Sequence, residues 1–344
     1  MKMEKRFFGC TKSGADAWLY ILENRSGMQL AVSDYGATVV SVCVPDKVGE
    51  KIDVVRGYDD VSGYEAGELY FGACVGRNAN RIGGAGLEIS GEKYALGKND
   101  GENNLHSGPD TYNKRIWGAD EKGSGIVFRF DSPHLDQGFP GNAEIQVAYS
   151  LTDENEIRIR YEAQADADTV FNMTNHSYFN LNGSGSVLDH EVVIHADSFT
   201  LTDSGSIPTG EIAPVEGTPM DFRTAKKIGA EIGADYEPLR LAKGYDHNYV
   251  LDGSGFREAA QFYSAESGIR MHVYTDLPGL QFYTANYVEG EKGKKGEICN
   301  PRCAACFETQ YFPDAPHHGN FPSTVCRKGT KYETETVYRF ETAG

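Results

Sequence analysis

Residues 144–161 read EIQVAYSLTDENEIRIRY, and their alternation sets the fold class. Ile145, Val147, Tyr149 and Leu151 alternate with Glu144, Gln146 and Ser150. Asp153 to Asn155 form a turn, and Ile157, Ile159 and Tyr161 then alternate with Arg158 and Arg160. Successive side chains of a strand point to opposite faces, so alternation on both sides of a polar turn predicts an antiparallel hairpin with one buried face. A slip of one residue would turn Arg158 and Arg160 into the core, which fixes the register.

Outward from the hairpin, the same period of two recurs at Met28, Leu30 and Val32, at Ile126, Phe128 and Phe130, and at Ile269, Met271 and Val273. Each run is bounded by Gly, Asn, Asp or Pro. Helical periodicity is scarce; the best candidate is Arg223 to Ile232, with Ala225, Ile228 and Ile232 apolar after a cap near Asp221. No strand–helix–strand rhythm appears, which argues against a doubly wound sheet or an α/β barrel. The 344 residues include 40 Gly and 13 Pro for turns, and 20 Tyr and 17 Phe for a core. There is no internal repeat, low-complexity tract or linker rich in Gly, Ser or Pro. The expectation is therefore one all-β domain over residues 1–344, a large antiparallel β-sandwich with few short helices.

The formal net charge of −17 opposes approach to nucleic acid or anionic lipid and suits a neutral small molecule. No run of 18 apolar residues exists, and Met1 to Asp16 carries basic residues without an apolar run behind them. Seven cysteines, an odd count, read as reduced thiols rather than a disulfide framework, so a cytoplasmic protein is expected. The sequons at Asn172, Asn175 and Asn182 then carry no meaning.

Several segments break the strand pattern by setting polar groups among aromatics and glycines, the composition a sugar pocket needs for hydroxyl rims and C–H faces. Gly76 to Gly83 holds Arg77, Asn78, Asn80 and Arg81 in a glycine-bounded turn. Taken alone, such a cluster reads as strand-end capping. Asn103 to Gly108 contains His106, and Asn172 to Leu181 contains His176, Ser177 and Tyr178; either imidazole suits proton transfer near neutral pH. Further on come Gly244 to Val250 with Asp246, Pro278 to Thr284 with Gln281, and Phe307 to Asp314 with Glu308. A carboxylate between Phe307 and the downstream aromatics is a candidate for a raised pKa and for general-base work.

Together the strings GRNANRI, NNLHSG, NHSYFNL, GYDHNYVL, PGLQFYTAN and ETQYFPDA, in this order between Tyr70 and Asp314, resemble the aldose 1-epimerase (galactose mutarotase) family. The resemblance implies a galactose mutarotase-like supersandwich with an open sugar cleft, a small-molecule aldose as substrate, and no metal or organic cofactor. It implies Asn80 and Arg81 on the sugar hydroxyls with His106 nearby, and His176 as general acid with Ser177 and Tyr178 beside it. Asp246 would accept from hydroxyls, Gln281 would lie near the anomeric end, and Glu308 would be the general base. Mutarotation needs this division of labour, because a base must remove the C1 hydroxyl proton while an acid protonates the ring oxygen. The resemblance is weaker before Tyr70. His247, next to Asp246 on a strand, would face the other way and is expected to be structural.

Cys299, Cys303 and Cys306 have a spacing that iron–sulfur clusters use, but the run directly precedes Phe307-Glu308 and reads as a loop entering a strand. His317-His318 in a Pro-rich loop reads as exposed, so no metal is assigned. A hexose-6-phosphate 1-epimerase is the nearest competing enzyme; it needs a basic pocket, for which Arg77 is the residue to watch. A glycosidase with Asp246 and Glu308 as its carboxylate pair is a second competitor. A non-catalytic sugar-binding protein of the same fold is a third. A monomer or a homodimer is expected.

Overall fold

The hairpin forms as its alternation requires. In this computed structural model, which describes residues 2–342, Ala143–Leu151 pairs antiparallel with Glu156–Ala165, placing Tyr149 opposite Ile159. Ile145, Val147, Tyr149 and Leu151 are buried, while Arg158 and Arg160 stay on the outer face. Their guanidiniums pair across the strands with Glu335 and Glu333.

The hairpin supplies the third and fourth strands of a nine-stranded sheet. In spatial order its strands are Gly118–Lys122, Gly125–Ser132, Ala143–Leu151, Glu156–Ala165, Tyr332–Thr342, Ile269–Thr275, Arg257–Tyr263, Glu191–Ile194 and Lys226–Lys227. Every pairing in it is antiparallel. Two five-stranded sheets cover its inner face. One runs from Lys2–Cys10 to Lys51–Asp53; the other orders Pro208–Pro214, Ser198–Thr202, Asp246–Val250, Gly279–Tyr283 and Cys306–Gln310. Tyr20 meets Phe128 across the first interface at 5.8 Å, and Phe307 meets Phe262 across the second at 5.0 Å. One continuous apolar cluster includes residues of all three sheets, which makes the fold a sandwich of unusual width.

The strand carrying Leu30 and Val32 is buried on both faces, because Phe8, Leu19, Ala31, Val40 and Tyr58 form a second cluster on its far side. The helix expected over Arg223 to Ile232 is absent. Asp221 does accept from the Arg223 amide as a cap would. However, Lys226–Lys227 pairs with Glu191 and Val192, and the Ile228 and Gly229 amides donate to the carbonyls of His190 and Leu188 rather than back along a helix. Gly229 and Gly233 lower helix propensity further, and only a single 3₁₀ turn, Ile228–Ala230, remains. The α-helices among the described residues are Val61–Ala66, capped by the Asp60 side chain, and Glu237–Ala242, with a proline in its first turn. No helix among the described residues is long and apolar enough to cross a membrane.

Candidate active site

Three neighbouring strands form the floor of a cleft, and their two faces have opposite character. Gln281 lies opposite Asn248 on one side and Glu308 on the other, and Asp246 lies opposite Tyr283. The pleat therefore sends Asp246, Asn248, Gln281, Tyr283, Glu308 and Gln310 to one face and His247, Tyr249, Leu280, Phe282 and Phe307 to the other. The second set enters the core. His247 is buried there against Phe199, as its position beside Asp246 implied. On the cleft face, Gln281 donates through Nε2 to Asp246 Oδ1 at 2.7 Å.

His176 reaches the cleft from the strand Thr174–His176, which pairs with Ala73–Val75. Its Nε2 lies 3.6 Å from Glu308 Oε2, and the two side chains are 7% and 2% exposed. Neither His176 Nδ1 nor Glu308 Oε2 has a hydrogen-bond partner among the described residues. Burial disfavours charge on both groups. It raises the Glu308 carboxyl well above its usual value, with Asp246 adding to the rise, and lowers His176 to about 4. A buried carboxylate oxygen left open costs about 1–3 kcal/mol, and here both open atoms belong to side chains that line the cleft.

Asn80 stands in the left-handed region at φ 59°, and its amide donates to His106 Nδ1 at 3.1 Å while its carbonyl accepts from the His106 amide. That contact keeps the His106 proton on Nε2, making this imidazole a donor toward the cleft. Arg81 donates through Nε to Asp100 Oδ2 at 2.7 Å. The carboxylate thus holds the guanidinium, whose remaining N–H groups are available for hydroxyls.

The cleft brings together Asn80, Arg81, His106, His176, Tyr178, Asp246, Gln281 and Glu308, eight of the nine residues expected from the sequence. Ser177 is not on its wall; the hydroxyl donates instead to Asn175 Oδ1 at 2.6 Å, and Asn175 holds the carbonyl of Gly72. Glu68, Leu69, Tyr70, Leu105, Tyr283 and Tyr287 complete the lining. Tyr283 was within reach of the sequence, since it lies two residues from Gln281 and shares its face; Tyr70 follows no periodic pattern. A wider groove, about 570 Å³, bordered by Asp131, Asn142, Asp166 and Lys328, has neither aromatic walls nor buried titratable groups.

Arg77 is fully buried, away from the cleft. It donates to the carbonyls of Pro140 and Gly141 and to the hydroxyls of Thr169 and Ser132. It is a structural bolt, unable to meet a phosphate. Cys299, Cys303 and Cys306 are free buried thiols, and His317 and His318 both lie against Asp314, at 2.7 and 3.2 Å. The ligand atoms of His106, His176 and Glu308 lie within 4.8 Å of one another, a spacing that suits a metal ion. The donor chemistry does not: a metal-bound imidazole coordinates through a bare nitrogen and donates through the other, whereas Nδ1 of His106 is an acceptor.

Comparison with known proteins gives the family. The family described as aldose 1-epimerase matches residues 19–339. A galactose mutarotase of Bos taurus is 39% identical over 320 residues, covering 92% of each chain, and an aldose 1-epimerase of Escherichia coli K12 is 38% identical over 94% of each. Among solved structures, an aldose epimerase homologue from C. elegans superposes with a TM-score of 0.90 at 32% identity, over 95% of this chain and 100% of that one. A galactose 1-epimerase from Lactobacillus acidophilus gives 0.88 at 27% identity, over 100% and 99%. With a β-sandwich of this topology and a buried His–Glu pair in its cleft, the chain is an isomerase that belongs to the aldose 1-epimerase family.

Proposed function

We propose that the cleft interconverts the α and β anomers of an unphosphorylated aldohexose such as galactose or glucose. The observation that carries this reading is Glu308 Oε2, buried without a partner among the described residues and lying 3.6 Å from His176 Nε2 in the cleft. The pair works with one proton between its two members. Burial favours that proton on Glu308; once it has passed to His176, the Glu308 carboxylate removes the C1 hydroxyl proton as His176 protonates the ring oxygen and the ring C–O bond breaks. The aldehyde turns about C1–C2, and closure on its other face returns the proton from Glu308 to the sugar and from the sugar to His176. Each group contributes about 10²–10⁴-fold, and no redox or transfer step is involved.

The remaining residues suit recognition. Arg81, Asn80 and the Nε2–H of His106 supply donors, Asp246 and Gln281 supply acceptors, and Tyr178, Tyr283 and Tyr287 offer apolar walls. Galactose mutarotase, the name of several relatives, supports galactose within this class. A 6-phosphate fits poorly. Arg81 is already paired with Asp100, while Glu68, Asp246 and Glu308 put carboxyl groups around it. A binding-only protein would gain nothing from a buried, unpartnered acid beside an imidazole. The free cysteines support work in a reducing compartment such as the cytoplasm. The test is polarimetry on freshly dissolved α-galactose, run beside a nitrophenyl galactoside. Faster decay to anomeric equilibrium with no nitrophenol release is expected, and nitrophenol release would favour a glycosidase.

A further inference from the structure

His176 must hold one orientation to serve a ring oxygen, yet among the described residues no hydrogen bond at Nδ1 fixes its imidazole. A histidine in such a role is ordinarily oriented through its second nitrogen, and here Nδ1 is buried without a partner. Two tyrosine rings lie nearly parallel to it instead, Tyr178 at 5.0 Å and 17° and Tyr70 at 6.0 Å and 20°. Tyr70 also packs on His106 at 4.7 Å. No motif in the sequence points to Tyr70.

The backbone is shaped to deliver that ring. Tyr70 sits at φ 59°, where a bulky side chain is rare because its Cβ crowds the backbone. A bonded turn enforces the conformation: the Ala73 amide donates to the Tyr70 carbonyl at 3.0 Å and the Gly72 amide to the carbonyl of His176 itself at 3.0 Å. The Gly72 carbonyl accepts from the Val39 amide and from Asn175 Nδ2, and a Cβ at Gly72 would collide with the Val39 carbonyl. Strain held in place by its surroundings is common where a site needs a particular side chain in a particular place.

We propose that Tyr70 is a positioning residue for His176, its ring packing along the imidazole and limiting its rotation where no hydrogen bond at Nδ1 does so among the described residues. The catalytic consequence rests on the mutarotase reading; the effect on the imidazole does not. The test compares Tyr70→Phe, which keeps the ring, with Tyr70→Asn, which accepts the left-handed backbone but removes the ring. Mutarotation kinetics on galactose and ¹⁵N spectra of labelled histidine side chains are recorded for both, with thermal melts to show that each is folded. With the ring gone, kcat falls about tenfold while KM stays within about twofold, and Tyr70→Phe restores kcat, as expected for lost alignment rather than lost binding. The His176 ring signals shift and broaden in Tyr70→Asn alone, as the ring gains freedom to turn. Unchanged His176 signals in Tyr70→Asn overturn the proposal whatever the rates, and so does a loss confined to KM. If the wild type is inert on free aldoses but its His176 signals respond to Tyr70→Asn, the mutarotase reading fails and the positioning role stands.

Discussion

Burial acts on Glu308 and His176 through the same physics with opposite signs: it raises the acid and lowers the base, because each charged form loses water. In the proposed mechanism the pair holds one proton, which sets the pH dependence. Below about 4 His176 gains a second proton for the pair, Glu308 can no longer accept, and the rate falls. Above the raised value of Glu308 the pair is empty, His176 has nothing to donate, and the rate falls again. A bell-shaped kcat/KM is expected, with an acid limb near pH 4 and an alkaline limb well above the ordinary carboxylate range; a single rise through an ordinary carboxylate pKa would contradict it. At this scale the sequence carried much of the site. Asp246, Gln281 and Glu308 stand in strand-like segments where chemistry-bearing side chains interrupt an apolar rhythm. Ser177 misleads because adjacency to His176 along the chain is not adjacency in space; its hydroxyl closes on Asn175. Tyr70 is silent because a strained turn obeys no period.

The elements that present these side chains are short and are tied down by buried polar bolts rather than by their own length. The strand Arg81–Ile82 has two residues, and the turn before it is fixed by Arg77. Arg77→Met would leave the Pro140 and Gly141 carbonyls and the Thr169 hydroxyl short of a donor. It should destabilise the fold by about 2–4 kcal/mol, read as a lower midpoint in urea at unchanged slope. An unshifted midpoint would show that water replaces the guanidinium. Long alternating strands such as Ala143–Leu151 are legible because one face must be buried. The Arg223 to Ile232 segment is not, since its amides are claimed by His190 and Leu188, far away in sequence. The six-residue helices are too short to show a period.

Across the whole molecule, the sequence pattern implies a sandwich but not which strands lie side by side in its sheets. That is decided by pairings such as Tyr161 with Thr334, which join strands more than 150 residues apart. The result is a nine-stranded sheet wide enough to carry two smaller ones, with the second offering a polar face as the cleft floor. A chain of net charge −17 with carboxyl groups around the Arg81 guanidinium in its cleft should discriminate against anionic sugars. Galactose 6-phosphate is expected to show a kcat/KM at least about tenfold below that of galactose, equivalent to about 1.4 kcal/mol, and equal values would reopen the phosphate reading. Glu308 and His176 together opening and closing the sugar ring is the step on which all else depends. Polarimetry of α-D-galactose and α-D-glucose at neutral pH, with wild type beside Glu308→Gln and His176→Asn, decides it. Wild type should hasten the approach to anomeric equilibrium, and each folded variant should lose about 10²-fold or more of that rate; a wild type no faster than buffer, or variants that keep its rate, would refute the assignment.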